Sequence, residues 1–132
     1  MLFGNGADIV FAAAGKSGLG AINQVRGRPN AFVIGVDSDQ DGLLPGKILT
    51  SAMKRVDIGL LRLSERIAAG EGLPQTFVLG LREGGVGLTD FTYTSGIVTP
   101  PMRRRLRELT RRIIDGRIVV PTTLEQLATW KP

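Results

Sequence analysis

Residues 31–36 read Ala-Phe-Val-Ile-Gly-Val, an apolar run without polar alternation that stops abruptly in Asp37-Ser38-Asp39-Gln40. A short run of this kind, rich in β-branched and aromatic side chains, fits a buried strand of a parallel sheet. Ligands of open α/β sheets bind outside the carboxyl ends of such strands. Asp37 is thereby placed where a carboxylate can hold a sugar hydroxyl. A purely local reading competes with this one: Asp37 or Asp39 caps a turn, because Asp and Ser side chains hydrogen-bond their own backbone.

The rest of the chain repeats the alternation. Ile9 to Ala14 reads as a strand, and Gly15-Lys16-Ser17-Gly18-Leu19-Gly20 opens a short helix running through Ala21 to Val25, which Gly27-Arg28-Pro29-Asn30 stops. Lys47 to Ser51 reads as a third strand. Val56, Leu60, Leu63 and Ile67 share one helical face, with Gly70 and Gly72 ending that helix and Pro74 beyond. Thr76 to Leu81 is expected as another strand, Glu83-Gly84-Gly85 as a turn, and Val86 to Leu88 as a return strand. Thr99-Pro100-Pro101 starts a last helix, ended by Gly116, before Ile118 to Val120 as a final strand. Alternation of this kind predicts an α/β layer architecture with a mainly parallel sheet flanked by helices.

Composition excludes much of catalytic chemistry. The 132 residues contain no Cys and no His, which removes disulfides, thiol nucleophiles, Cys/His metal sites and a histidine base. Asp8, Asp37, Asp39 and Glu83 are available as carboxylates, but no nucleophile or metal-ligand cluster accompanies them. No apolar run reaches the roughly 18 residues of a membrane span, and the first residues lack the blocks of a signal peptide. The expectation is one domain with neither a span nor an export address of its own.

Two basic or glycine-rich features need weighing. The net charge of +5 is mainly a C-terminal property, with Arg103, Arg104, Arg105, Arg107, Arg111, Arg112 and Arg117 close together around an apolar stripe of Met102, Leu106, Leu109 and Ile113. That segment reads as a solvated helix face, or alternatively as a patch for an acidic or nucleic-acid partner without aromatic interleaving. Gly15-Lys16-Ser17 lacks the first glycine of a P-loop, since position 10 is Val10, and Gly15, Gly18 and Gly20 miss the dinucleotide spacing. What remains is either close backbone approach to a ligand at a helix start or close packing of helix on sheet.

Four segments together resemble a known family. Gly6-Ala7-Asp8-Ile9-Val10-Phe11-Ala12-Ala13-Ala14-Gly15, Gly35 to Gln40, Leu49 to Asp57, and Leu79 to Leu88 occur in the order found in the C-terminal part of the basic membrane protein family, substrate-binding lipoproteins also called purine-nucleoside receptors. The ending Ile114 to Pro121 is similar to the family's close. The resemblance implies a single lobe of a type I periplasmic-binding-protein-like fold that binds a nucleoside and does not catalyse, needs no cofactor or metal, and passes its ligand to an ABC-type importer permease. It also implies a cell-envelope location, with lipid anchoring in the full-length family.

By matched motif, Asp37 resembles the carboxylate that accepts hydrogen bonds from ribose hydroxyls, and Lys54 the lysine that reaches the same pocket and balances it. Gly15, with Lys16 and Ser17, resembles the loop that lies against the ligand. For Lys54 the competing reading is a surface cation at a helix start. The family's aromatic base sandwich lies outside the matched segments, so Phe11, Phe32 and Phe77 are expected in the core.

Family members are longer, so residues 1–132 are expected to be a C-terminal portion without the N-terminal lobe, as a fragment, a truncated gene product or an excised region; a further reading makes Met1 an internal methionine of a longer frame. A lobe alone is expected to bind weakly and to self-associate as a homo-oligomer through its exposed face and sheet edges. A regulatory or nucleic-acid-associated protein on the same lobe is the alternative.

Overall fold

The computed structural model describes residues 2–131; the reading of Met1 falls outside them. The chain divides into two compact units, Met1–Val98 and Thr99–Pro132. The first carries a four-stranded sheet in the order β1-β2-β3-β4. Its strands are β1 (Ile9–Phe11), β2 (Phe32–Asp37), β3 (Ile48–Lys54) and β4 (Val86–Leu88). β1, β2 and β3 are parallel and β4 returns antiparallel to β3. The mainly parallel α/β architecture expected from the alternation is present.

Helix α1 (Gly18–Val25) buries Ile22 and Val25 against the sheet, where they join Ala12, Ala31, Val33 and Ile48 in one cluster. Apolar burial of such side chains stabilises by about 1.5–3 kcal/mol each. The close approach depends on Gly18, where a Cβ would lie 2.9 Å from the Ala12 carbonyl oxygen. The packing reading of the glycine cluster therefore holds at Gly18. At Gly15, by contrast, space is open and φ is +52°.

β2 is buried on one face only: Val33 and Gly35 are buried, whereas Phe32, Ile34 and Val36 are half-buried. Helix α2 (Val56–Ala68) has no buried residue, and Val56, Leu60 and Ile67 on its expected apolar stripe are 57%, 62% and 58% exposed. Phe11 is also 57% exposed, so its expected place in the core is corrected: β1 is an edge strand, and Phe11 lies on its uncovered face. Phe3 instead packs against the cluster.

Two expected strands are absent. Residues 76–81 form no ladder, and the end of the segment is used in a turn instead, with the Gly85 N–H donating to the Gly80 carbonyl (2.9 Å) and the Gly80 N–H to Glu83 Oε2 (2.8 Å). Residues 118–120, in the second unit, are likewise not a strand. There the Ile118 amide donates to the Arg112 carbonyl at the end of α3 (Pro100–Ile114), and the Val119 carbonyl accepts from Trp130 Nε1 at 2.7 Å.

Helices α2 and α3 end as the glycines foretold. Gly70 and Gly116 take φ of +74° and +72°, and the next amides, of Glu71 and Arg117, bond back to Arg66 and Arg112 at 3.0 and 2.8 Å. A short helix that the sequence reading missed, α4 (Leu124–Thr129), follows in the second unit. The Thr123 side chain caps it by accepting from the Gln126 N–H.

Candidate functional site

The parallel strands place their carboxyl ends on one edge of the sheet, and a cleft of about 510 Å³ opens there. Asp37 and Ser38 line it from the end of β2, Met53 and Lys54 from the end of β3, and Arg55, Val56 and Asp57 from the start of α2. Strand register accounts for the convergence: Asp37 pairs with Met53, so Lys54 is the next residue along the neighbouring strand. Both Asp37 and Lys54 are exposed, and neither takes part in an ion pair among the described residues. Each charge keeps its hydrogen-bonding capacity for something entering the cleft. The expected balancing of Asp37 by Lys54 is not made as a direct contact.

Asp37 has φ of +71°. Left-handed backbone is uncommon outside glycine, and Asp is among the residues that tolerate it best. The turn-capping alternative, open for Asp37 or Asp39, holds at Asp39. Asp39 Oδ1 accepts from the Asp41 N–H at 3.0 Å, an Asx turn, and so Asp39 does the local work.

Lys54 is held from the opposite side. It pairs with Val86, and the Arg55 N–H donates to the Gly85 carbonyl at 2.8 Å, anchoring β3 where α2 begins. Gly85 is buried against Leu79, whose carbonyl oxygen would lie 2.5 Å from a Cβ at that position.

Arg55 and Asp57 add a feature the sequence reading did not single out. Arg55 donates through Nε (3.0 Å) and its terminal nitrogen (2.7 Å) to the two oxygens of Asp57. These side-chain hydrogen bonds hold the Asp57 carboxyl below the usual carboxylate range and raise the Arg55 guanidinium. Ser38 and Met53 were also missed as lining residues. Their only signal was adjacency in the chain to Asp37 and Lys54.

Gly15, Lys16 and Ser17 form a short 3₁₀ turn (Gly15–Ser17) after β1, on the same edge of the parallel sheet, but they do not line the cleft. Where the loop after β2 meets β3 lies a buried polar cluster that the sequence reading also missed. Ser51 is fully buried and Asp41 is 5% exposed, and the Ser51 hydroxyl donates to Asp41 Oδ1 at 2.6 Å. No group of His, Cys, Asp and Glu that could hold a metal ion occurs among the described residues.

The sequence matches the family of PnrA-like ABC transporter substrate-binding proteins, Bmp, over residues 1–123. The chain belongs to that family. Among curated relatives, Basic membrane protein D of Borreliella burgdorferi is 40% identical over 90 residues, covering 66% of this chain. The Bmp chain spans 26% of that relative's length and no more than 38% of the next ones.

In fold, the Bmp chain is similar to an ABC transporter solute-binding protein from Aeropyrum pernix, with a TM-score of 0.75 at 24% identity over 97% of this chain and 44% of that one. It is also similar to a transcriptional activator of the comK gene from Bacillus halodurans, with a TM-score of 0.77 at 22% identity over 88% of this chain and 40% of that one. At that identity the two structures speak for the architecture alone. The family itself is one of binding proteins, not enzymes. No helix among the described residues is long and apolar enough to cross a membrane.

Proposed function

We propose that this Bmp chain supplies one wall of a nucleoside-binding site in a solute receptor that serves an ABC-type importer at the cell envelope. One observation carries the reading: Asp37 and Lys54, which arrive from different strands, line the same cleft at the carboxyl edge of the parallel sheet. An ionised carboxylate only accepts hydrogen bonds, which suits a vicinal diol offering two donors. Lys54 offers donors to ring or base oxygens and an attractive field for a ligand held by Asp37. Gly15, Lys16 and Ser17, in the loop after β1 on the same sheet edge but outside the cleft, offer backbone and side-chain donors to a ligand that extends beyond it. The permease is the partner in transport, and membrane attachment belongs to the protein in that setting.

The cleft is open to solvent, whereas binding sites bury most of a small ligand's surface. Binding by this chain is therefore expected to be weak, in the range followed by ¹⁵N–¹H NMR titration. Inosine should shift the amides of Asp37, Ser38 and Lys54, and Asp37→Ala should weaken its binding about tenfold, the scale of a hydrogen bond to a charged group. Equal binding of inosine and 2′-deoxyinosine by the unaltered chain would overturn the assignment of Asp37 to the ribose.

A second reading concerns self-association, favoured by the exposed Val56, Leu60, Leu61 and Ile67 of α2. Contiguous apolar surface of this kind is a common site of association. Sedimentation equilibrium should find a homodimer or larger species, and a monomer across the micromolar range would refute it.

A further inference from the structure

The left-handed conformation of Asp37 sits in a loop whose polar groups are pinned to β3. Gln40 folds its side chain back so that Oε1 accepts from the Val36 N–H at 3.1 Å, on the N-terminal side of Asp37. The Gln40 N–H donates to Ser51 Oγ at 3.0 Å, on the C-terminal side. The same hydroxyl then donates its proton to Asp41 Oδ1 at 2.6 Å. Asp41 is held in turn by its own amide, which donates to Asp39 Oδ1 at 3.0 Å.

Ser51 therefore accepts one hydrogen bond and donates another, with no solvent contact. It lies on β3 opposite Gly35, three residues before Lys54, so the strand that carries the lysine also holds the loop that carries the carboxylate. Gly35 is the residue that lets this arrangement close. A Cβ there would lie 2.6 Å from Ser51 Oγ and 2.8 Å from Gln40 Oε1.

We infer that Ser51, Gln40 and Asp41 form a positioning lock that fixes Asp37 in its left-handed conformation and sets its placement relative to Lys54. A sparsely populated backbone conformation persists only when its surroundings over-determine it. Here the Ser38 N–H donates to the Val36 carbonyl across Asp37 at 2.9 Å, and the bonds on both sides of residue 37 hold that tight turn in place. What matters at Asp41 is an oxygen that accepts from Ser51. None of the three locking residues lines the cleft, so they act through Asp37. The inference rests on the nucleoside reading of Asp37, and its test separates the two.

The readout is the ratio of inosine to 2′-deoxyinosine affinity, measured by NMR titration of the whole chain. If the unaltered chain shows no preference, the nucleoside reading fails and the lock has no ligand selectivity to support, so the inference falls with it. If the chain does discriminate, Ser51→Ala and Asp41→Ala should bring the ratio towards one, whereas Asp41→Asn, which keeps the acceptor oxygen, should preserve it. In an Asp37→Asn background, Ser51→Ala should change the inosine affinity by less than twofold. Discrimination unaltered in Ser51→Ala, or lost equally in Asp41→Asn and Asp41→Ala, would overturn the lock.

Should the alanine variants fail to fold, amide exchange in the unaltered chain decides. The Val36 and Gln40 amides should exchange far more slowly than that of Asp39. Equal exchange at all three would show that the loop is not pinned.

Discussion

Replacing Gly35 by alanine tests the lock through stability alone, without any ligand. The added methyl would lie 2.6 Å from Ser51 Oγ, 2.8 Å from Gln40 Oε1 and 3.1 Å from Gln40 Cβ. Non-bonded carbon contacts are favourable only near about 3.5–4.0 Å, so both side chains must retreat. Ser51 cannot turn away without dropping its bonds to the Gln40 N–H (3.0 Å) and Asp41 (2.6 Å), and Gln40 loses its bond from Val36.

Overpacking costs about 1–3 kcal/mol, and a buried polar group left unpaired costs about 1–3 kcal/mol more. A loss of about 3–4 kcal/mol is therefore expected, a large share of the roughly 5–15 kcal/mol by which a domain is stable. The control is Gly87→Ala in β4, where nothing lies within 4 Å of an added Cβ and the change should stay within about 1 kcal/mol of zero. Urea melts followed by far-UV circular dichroism give both values on one scale. If Gly35→Ala melted at the same urea concentration as Gly87→Ala, the close contact between β2, Ser51 and Gln40 would be refuted.

The Arg55–Asp57 pair makes stability depend on acidity. Asp57 titrates below its ordinary range in the folded chain because Arg55 donates to it, so its contribution is complete above the unfolded carboxylate value of about 4 and fades as pH falls below that. Asp57→Asn should accordingly lower the melting temperature slightly at pH 7, with the difference shrinking as pH falls below about 4; a difference that does not change with pH would contradict the pairing. In the second unit, Thr123→Ala removes the oxygen that accepts from the Gln126 N–H at 3.2 Å and should cost α4 about 1 kcal/mol. Trp130 is the only tryptophan and donates to the Val119 carbonyl, so its fluorescence should shift to the red at lower urea in this variant, and an unmoved transition would show that the cap carries no weight.

What the sequence determined by itself is local and periodic. The apolar run up to Val36 marked a strand, its abrupt end marked Asp37 as presented at a strand tip, and the ordered segments through Leu88 marked the family. Gly70 and Gly116 marked helix ends because only a residue free of a Cβ takes positive φ there at little cost. Tertiary structure decided wherever a segment's partner lay far along the chain. Residues 76–81 and 118–120 have strand composition, but a strand needs a neighbour to accept its hydrogen bonds, and the Gly80 and Ile118 amides are used in a turn and at a helix end.

Register, likewise, is a relation between strands: it brought Lys54 to the same cleft as Asp37 and set Ser51 against Gly35. Ser51 and Asp41 look like ordinary surface-type polar residues in the sequence. Their burial follows from the loop after β2 folding back onto β3, and a hydroxyl and a carboxylate removed from water persist there because each satisfies the other.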